Sequence, residues 1–241
     1  MNPTGRFGSR AKAYAAFRPS YPPEAIDAVL AGLGEPHVLT IADVGAGTGI
    51  SSRLFADRGV RVTAIEPNAT MRENAEPHPR VTWQDGTAEH TGLESASVDA
   101  VVACQAAHWF VMPDAFREFR RIARRRAAML QYERHEGDPF TAAYGEVVRS
   151  YATDDTETLR RRALEAFSAF PDARLTRAEH ASYQTLDLDG LLGRAASSSY
   201  LPSSGPDAER LNADLRTLFE RFERDGSVRL ATVTYVLVVD W

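Results

Sequence analysis

Three closely spaced glycines, in Asp43-Val44-Gly45-Ala46-Gly47-Thr48-Gly49, stand where an apolar run, Val38 to Val44, gives way to a helix-length segment, Ile50 to Ala56. Glycine lets the backbone turn sharply there and lets a ligand approach main-chain N–H groups with no Cβ in the way. Glu66 follows 21 residues after Gly45, at the end of a second β-like run, Val60 to Ile65. A carboxylate at a strand tip can accept hydrogen bonds from two neighbouring ribose hydroxyls. Loop and acid together describe a nucleoside crevice at the carboxyl edge of a parallel sheet. A dinucleotide loop reads G-x-G-x-x-G and a P-loop ends in Gly-Lys-Ser/Thr, and this loop fits neither.

The surrounding chain supports such a sheet. A helical pattern at Glu24 to Leu30 precedes the first strand, and further strand candidates lie at Arg80 to Gln84, Val98 to Ala103 and Ala127 to Tyr132. Five short strands separated by crossover segments are the βαβ signature of a doubly wound α/β sheet. After Tyr132, residues 139 to 170 carry two amphipathic helical patterns with no strand between them. They read as a helical cap inserted at about 135–175 within one domain, 1–241. Ala178 to Leu186 and Ser227 to Val239 offer two last strands with a helix at Ala208 to Arg224 between them, and Ser197 to Pro206 reads as a loop.

Composition narrows the partners. With 28 basic and 33 acidic residues the net charge is −5, which gives no global pull toward nucleic acid or anionic lipid. No stretch approaches the length of a membrane span, and the N-terminal residues lack the apolar core of a signal peptide. The single cysteine, Cys104, excludes an internal disulfide and a cysteine-based zinc cluster, and reads as a small buried strand residue. A cytoplasmic protein with a small-molecule substrate, no nucleic acid, no membrane and no metal is expected, as monomer or homodimer.

On the glycine loop and Glu66 the chain resembles the class I S-adenosyl-L-methionine (SAM)-dependent methyltransferases. More narrowly it resembles the small-molecule group that includes trans-aconitate-type enzymes. The narrower likeness rests on Phe7-x6-Tyr14-x3-Arg18-Pro19-x-Tyr21-Pro22, Glu66-Pro67-Asn68-x2-Met71, Gly86-Thr87-Ala88-Glu89, Ser97-Val98-Asp99, Gln105-Ala106-Ala107-His108-Trp109-Phe110 and Ser197-x-Ser199-Tyr200-Leu201-Pro202. The resemblance implies a Rossmann-like sheet, mostly parallel with a C-terminal antiparallel strand, and SAM as methyl donor with S-adenosylhomocysteine as product. It also implies roles. Gly45, Ala46 and Gly47 would line the methionyl side of SAM, Glu66 would hold the ribose, and Asn68 and Met71 would lie near the adenine. Thr87 and Ala88 would face the adenine edge, and Gln105 the methionyl amine. Tyr14 and Arg18 would close over SAM, with Arg18 either pairing with a carboxylate or standing as a surface residue. His108 either takes a proton from an acceptor, orients it, or simply packs, and Trp109 would form the substrate wall.

The chain also departs from the family's pattern. Thr87 stands where many of these enzymes place an acid, so its hydroxyl or Asp85 must serve the adenine amine, or nothing does. After Glu118, Arg121 and Ile122, a Pro-Gly-Gly turn is replaced by Arg124-Arg125-Arg126, read here as a solvated turn, and the following strand ends Gln131-Tyr132-Glu133-Arg134. Tyr132 and Glu133 therefore become candidate catalytic groups, with Tyr132 alternatively a packing substitute. These departures keep a second reading open, in which SAM is the whole substrate: its own amine attacks Cγ, giving azetidine-2-carboxylate and methylthioadenosine.

Overall fold

The apolar runs assemble into one seven-stranded sheet in the computed structural model, which describes residues 17–241. The strands are β1 (Thr40–Val44), β2 (Arg61–Ile65), β3 (Val81–Gln84), β4 (Val98–Cys104), β5 (Ala123–Arg134), β6 (Arg174–Leu186) and β7 (Val228–Asp240). Their spatial order is β3-β2-β1-β4-β5-β7-β6. The first five run parallel, and β7 is antiparallel to both β5 and β6. This is the Rossmann-like fold expected, with its C-terminal antiparallel strand. Order reverses at β1, which lies between β2 and β4, and open sheets bind ligands at the carboxyl ends of strands flanking such a reversal.

Eight helices are described: α1 (Pro23–Leu30), α2 (Ile50–Asp57), α3 (Ala69–Glu73), α4 (Met112–Ile122), α5 (Pro139–Ser150), α6 (Thr156–Ser168), α7 (Leu188–Ala196) and α8 (Gly205–Phe222). Because successive strand residues point to opposite faces, the sheet buries two separate apolar layers. On one face Ile26, Val29 and Phe55 of α1 and α2 pack on Ile41, Val62 and Leu130. On the other, Phe119 and Ile122 of α4 and Phe167 of α6 pack on Val44, Val101 and Met129. A third cluster joins Tyr144 of α5, Leu191 of α7 and Leu215 of α8. The two helices expected at 139–170 therefore separate: α5 enters the third cluster, while α6 lies against the sheet's own helical layer. Among the described residues no helix is long and apolar enough to cross a membrane.

Two local readings of the sequence are corrected. Val38 is not in β1, because Pro36 starts a short 3-10 turn, Pro36–Val38, that leaves Val38 59% exposed. The arginine triplet is not a turn: α4 ends at Ile122 and Ala123 passes directly into extended backbone, so Arg124 to Arg126 open β5. Asp99 pairs with both Arg124 and Arg125. Arg126 is buried, gripping both Asp240 oxygens (2.6 and 3.0 Å) and the carbonyls of Val29 and Ala31. One guanidinium thus ties β5 to β7 and to the end of α1. Helix α7 falls where the sequence reading assigned nothing. Asp187 caps it by accepting from Gly190 N, while Gly190 and Gly193 weaken its helical pattern.

Cutting Arg126 back to alanine strands the Asp240 carboxylate and two carbonyls. Unfolding in urea is expected to show a loss on the order of 3 kcal/mol, the scale for breaking a largely buried ion pair. A loss below about 1 kcal/mol would show that the tie is dispensable.

Candidate active site

The glycine loop lies at the carboxyl end of β1. Gly45, Gly47 and Gly49 all adopt positive φ (+70°, +59° and +77°), the left-handed region that side chains rarely enter. At Gly45 space is also lacking, since a Cβ there would meet the Ala106 Cβ at 2.6 Å. The loop is pinned by Gly45 N and Ala46 N, which both donate to the Ile65 carbonyl (2.9 and 3.1 Å).

Glu66 sits at the end of β2 with both oxygens engaged on one side. Gly47 N donates to Oε2 and Asn68 N to Oε1, each at 2.9 Å. The carboxylate is therefore oriented before any ligand arrives, and each oxygen keeps a second acceptor position. Burial raises its pKa, opposed by the same two N–H groups and by Arg72. Asp43, two residues before Gly45, is fully buried and accepts from the hydroxyls of Ser51 and Ser52 at 2.7 and 2.6 Å. These bonds fix the first turn of α2 beneath the loop. Burial pushes the Asp43 pKa from 3.8 up to about 6, outweighing the two serine bonds that lower it.

The cleft above this loop spans about 810 Å³, part of it open to solvent. Gly45, Gly47, Glu66, Asn68, Met71, Thr87, Ala88, Gln105 and Trp109 all face it, so most of the expected cofactor residues converge. Asn68 has a further role as the N-cap of α3, its side chain accepting from Met71 N. Thr87 faces the cleft and its hydroxyl accepts from His90 N (3.2 Å), leaving the hydroxyl proton to give. Asp85 does not line the cleft; it is exposed and paired with Arg72 at 3.5 Å. Of these two groups, only Thr87 lines the cleft. Phe110, which reads with Trp109 as wall, also faces the cleft, as does Glu89, which closes the Gly-Thr-Ala-Glu string but carried no expected role. Glu89 Oε1 accepts from Val111 N, the residue that opens α4.

Gln105 follows β4 with φ +54°, a strained conformation for a residue with a side chain and one that clusters at functional positions. Its Nε2 donates to the Tyr132 carbonyl at 2.8 Å, while its Oε1 is buried with no hydrogen-bond partner. A second, smaller chamber shares Gly45 and Gln105 with the cleft and is walled by Arg18, Ala46, Cys104 and Tyr132. Arg18 donates to the Tyr132 hydroxyl (3.2 Å) and the Ser197 carbonyl (3.3 Å), so it is not a surface arginine. Burial raises the Tyr132 pKa, but Arg18, Arg194 and Arg160 outweigh it and the net shift is downward. Tyr14 lies outside the described residues.

Two candidates stand apart from the cleft. His108 lies in a 3-10 turn, Ala107–Trp109, its ring 4.8 Å from that of Trp109. Burial, with Arg160 and Arg18 nearby, holds its pKa well below the usual value, so the imidazole is neutral near pH 7. Its Nδ1 is buried without a hydrogen-bond partner. Glu133 is turned away, because neighbouring strand residues face opposite sides and Tyr132 already faces the chamber. It accepts from Gln131 Nε2 at 2.8 Å and lines a different, charged cavity with Arg134 and Arg160.

The raised Asp43 pKa makes a pH signature. The folded state holds a proton that the unfolded chain has lost, so stability is greatest below about pH 4 in this component and falls as pH rises toward 6. The two-unit shift corresponds to about 3 kcal/mol. Asp43→Asn, which keeps an acceptor for both serines, should remove this part of the slope in urea melts at successive pH values; an unchanged slope would contradict the assignment.

The sequence and fold have known counterparts. Residues 42–130 match the family model described as a methyltransferase domain. An uncharacterised methyltransferase of Mycobacterium tuberculosis is 40% identical over 119 residues, 49% of this chain and 47% of the relative. A candidate methyltransferase of Dictyostelium discoideum is 35% identical over 125 residues, 52% of this chain and 47% of the relative. The chain thus spans about half the length of the curated relatives it matches. Over nearly its whole length it shares the fold of a candidate type II methyltransferase from Anaeromyxobacter dehalogenans (TM-score 0.65, 23% identity, 93% of this chain and 97% of the other). A candidate methyltransferase from an antibiotic biosynthesis pathway of Anabaena variabilis is similar (TM-score 0.66, 22% identity, 88% and 96%). Residues 42–130 thus match a methyltransferase domain, and the chain as a whole shares the fold of these solved structures.

Proposed function

We propose that the protein transfers a methyl group from SAM to a small-molecule acceptor. The observation that carries this reading is the pairing of a pre-oriented Glu66 carboxylate with an unsatisfied Gln105 Oε1 at the two ends of one glycine-lined cleft. A buried acceptor without a donor is costly to keep, and the methionyl ammonium of SAM is a donor suited to it. Glu66 suits the ribose diol, Met71 and Ala88 offer an apolar floor for a purine, and Thr87 offers a hydroxyl at its edge. Bound there, SAM supplies a sulfonium methyl that is already electrophilic. The chain's own residues then align the acceptor, exclude water and remove a proton where the acceptor needs it.

Tyr132 is the group best placed for that proton, since it faces the chamber next to Gln105 and its neighbouring guanidinium groups favour the phenolate. His108, neutral and weakly basic, serves as a hydrogen-bonding wall beside Trp109. Glu133 has no part in the reaction from its position.

The same Tyr132 supports the second reading, in which the methionyl amine of SAM loses its proton to a nearby base and attacks its own Cγ. The Cγ–S bond then breaks with its electron pair on sulfur, releasing methylthioadenosine and azetidine-2-carboxylate. Incubation of the protein with SAM alone, followed by mass spectrometry, separates the two. The methyl-transfer account expects intact SAM until an acceptor is supplied; methylthioadenosine with the four-membered amino acid would replace it with cyclisation.

Binding tests the site itself. In calorimetric titrations with S-adenosylhomocysteine, Glu66→Gln should weaken binding about tenfold and Glu66→Ala more, the scale of a charged hydrogen bond lost. Unchanged affinity in both variants would remove the nucleoside crevice from the account.

A further inference from the structure

At the carboxyl end of β5, side chains from five separate stretches of chain converge on a patch of guanidinium and phenol groups. Tyr132 receives the Arg18 hydrogen bond already described. The Arg194 guanidinium, on α7, lies 6.0 Å from the centre of the Tyr132 ring, and that of Arg160, on α6, lies 5.9 Å from the Tyr200 ring. Tyr200 is held beside α6 by its carbonyl, which accepts from Thr153 N and Oγ1 at 2.8 and 3.0 Å.

The charges do not balance. Arg134, the next cation along β5, is matched by Glu157 and Glu136. Arg160 and Arg194 have no carboxylate partner among the described residues. Arg194 is 6% exposed, and among the described residues its guanidinium makes one hydrogen bond, a long contact from Nη1 to Ser198 Oγ (3.4 Å). The Nε of Arg194 and the Nε of Arg160 are both buried without a partner. The four acids that share the charged cavity with Arg160 are engaged elsewhere: Glu157 with Arg134, Glu136 with Arg134 and Arg149, Asp155 with Thr158 N and Glu133 with Gln131. Burying two uncompensated guanidinium groups is expensive, and buried charge is ordinarily paired. The excess charge is felt by its surroundings: burial would raise the Tyr200 pKa, yet Arg160, Arg134, Arg194 and Arg18 bring it down to about 8.

We propose that Arg160 and Arg194, with the Tyr200 and Tyr132 phenols beside them, form an oxyanion subsite that takes a carboxylate or phosphate group of the methyl acceptor. Guanidinium forks match the planar or tetrahedral oxygens of such groups two bonds at a time. Position supports an acceptor role, because Tyr132 also walls the chamber that carries Gln105 and Gly45. Arg160 also lines a solvent-open charged cavity between β5, α5 and α6, with Arg134, Arg149 and Arg161 and the carboxylates Glu133, Glu136, Asp155 and Glu157 around it.

The proposal rests on the methyltransferase reading only for the word acceptor, and its test keeps the two apart. The protein, with and without saturating S-adenosylhomocysteine, is titrated calorimetrically with tricarballylate, with inorganic phosphate and with the uncharged trimethyl ester of tricarballylate. Wild type is expected to bind at least one of the two anions and not the ester. Tricarballylate alone marks a carboxylate acceptor and phosphate alone a phosphorylated one. Arg160→Gln and Arg194→Gln should each weaken anion binding tenfold or more without changing S-adenosylhomocysteine affinity, and Arg160→Lys should recover part of it. Binding of neither anion, or equal binding of ester and anion by wild type, overturns the subsite even if both variants fail to fold. If S-adenosylhomocysteine itself does not bind, the methyltransferase reading falls, and the anion titration of the unloaded protein still decides the subsite.

Discussion

The Glu66 carboxylate is the point on which the cleft depends. Its two oxygens take the N–H groups of Gly47, in the loop after β1, and Asn68, at the start of α3. One side chain thus holds the glycine loop, the tip of β2 and the next helix in register. The loop's positive φ values and the absence of a Cβ at Gly45 make that closure possible, because the loop passes against Ala106 after β4. Asp43 works from below, fixing Ser51 and Ser52 at the start of α2. The cost of burying two carboxylates is offset only in part by hydrogen bonds arranged before any ligand is present, and both pKa values stay raised.

Much of this was legible in the sequence because it is local. A strand, a glycine turn, a helix and an acid one strand later are neighbours in the chain and have fixed spacing, so Gly45, Gly47 and Glu66 fall together in the cleft as expected. Strand identities were legible for the same reason, from period and turn residues. The beginning of β5 was not. Three successive arginines read as solvated, and only the partners Asp99 and Asp240, distant in sequence, make them strand residues.

Side-chain direction and long-range convergence account for the rest. Tyr132 and Glu133 look equivalent as adjacent polar residues beyond a strand core, yet the pleat sends one to the chamber and the other to a separate cavity. Arg160 and Arg194 carry no motif and lie on different helices. Nothing in spacing signals that they meet beside Tyr132 and Tyr200, and α7 itself was hidden by its two glycines. Family resemblance points to the cofactor half of such a fold, whereas the acceptor half is assembled from parts that only tertiary structure brings together.

The ligand proposed for the cleft is a nucleoside whose aminoacyl tail lies between Glu66 and Gln105. A crystal structure of the protein with S-adenosylhomocysteine tests it directly. Both ribose hydroxyls are expected on Glu66 and the amino group on Gln105 Oε1, with the purine over Met71. Density for the ligand elsewhere, or a ribose turned away from Glu66, would contradict it.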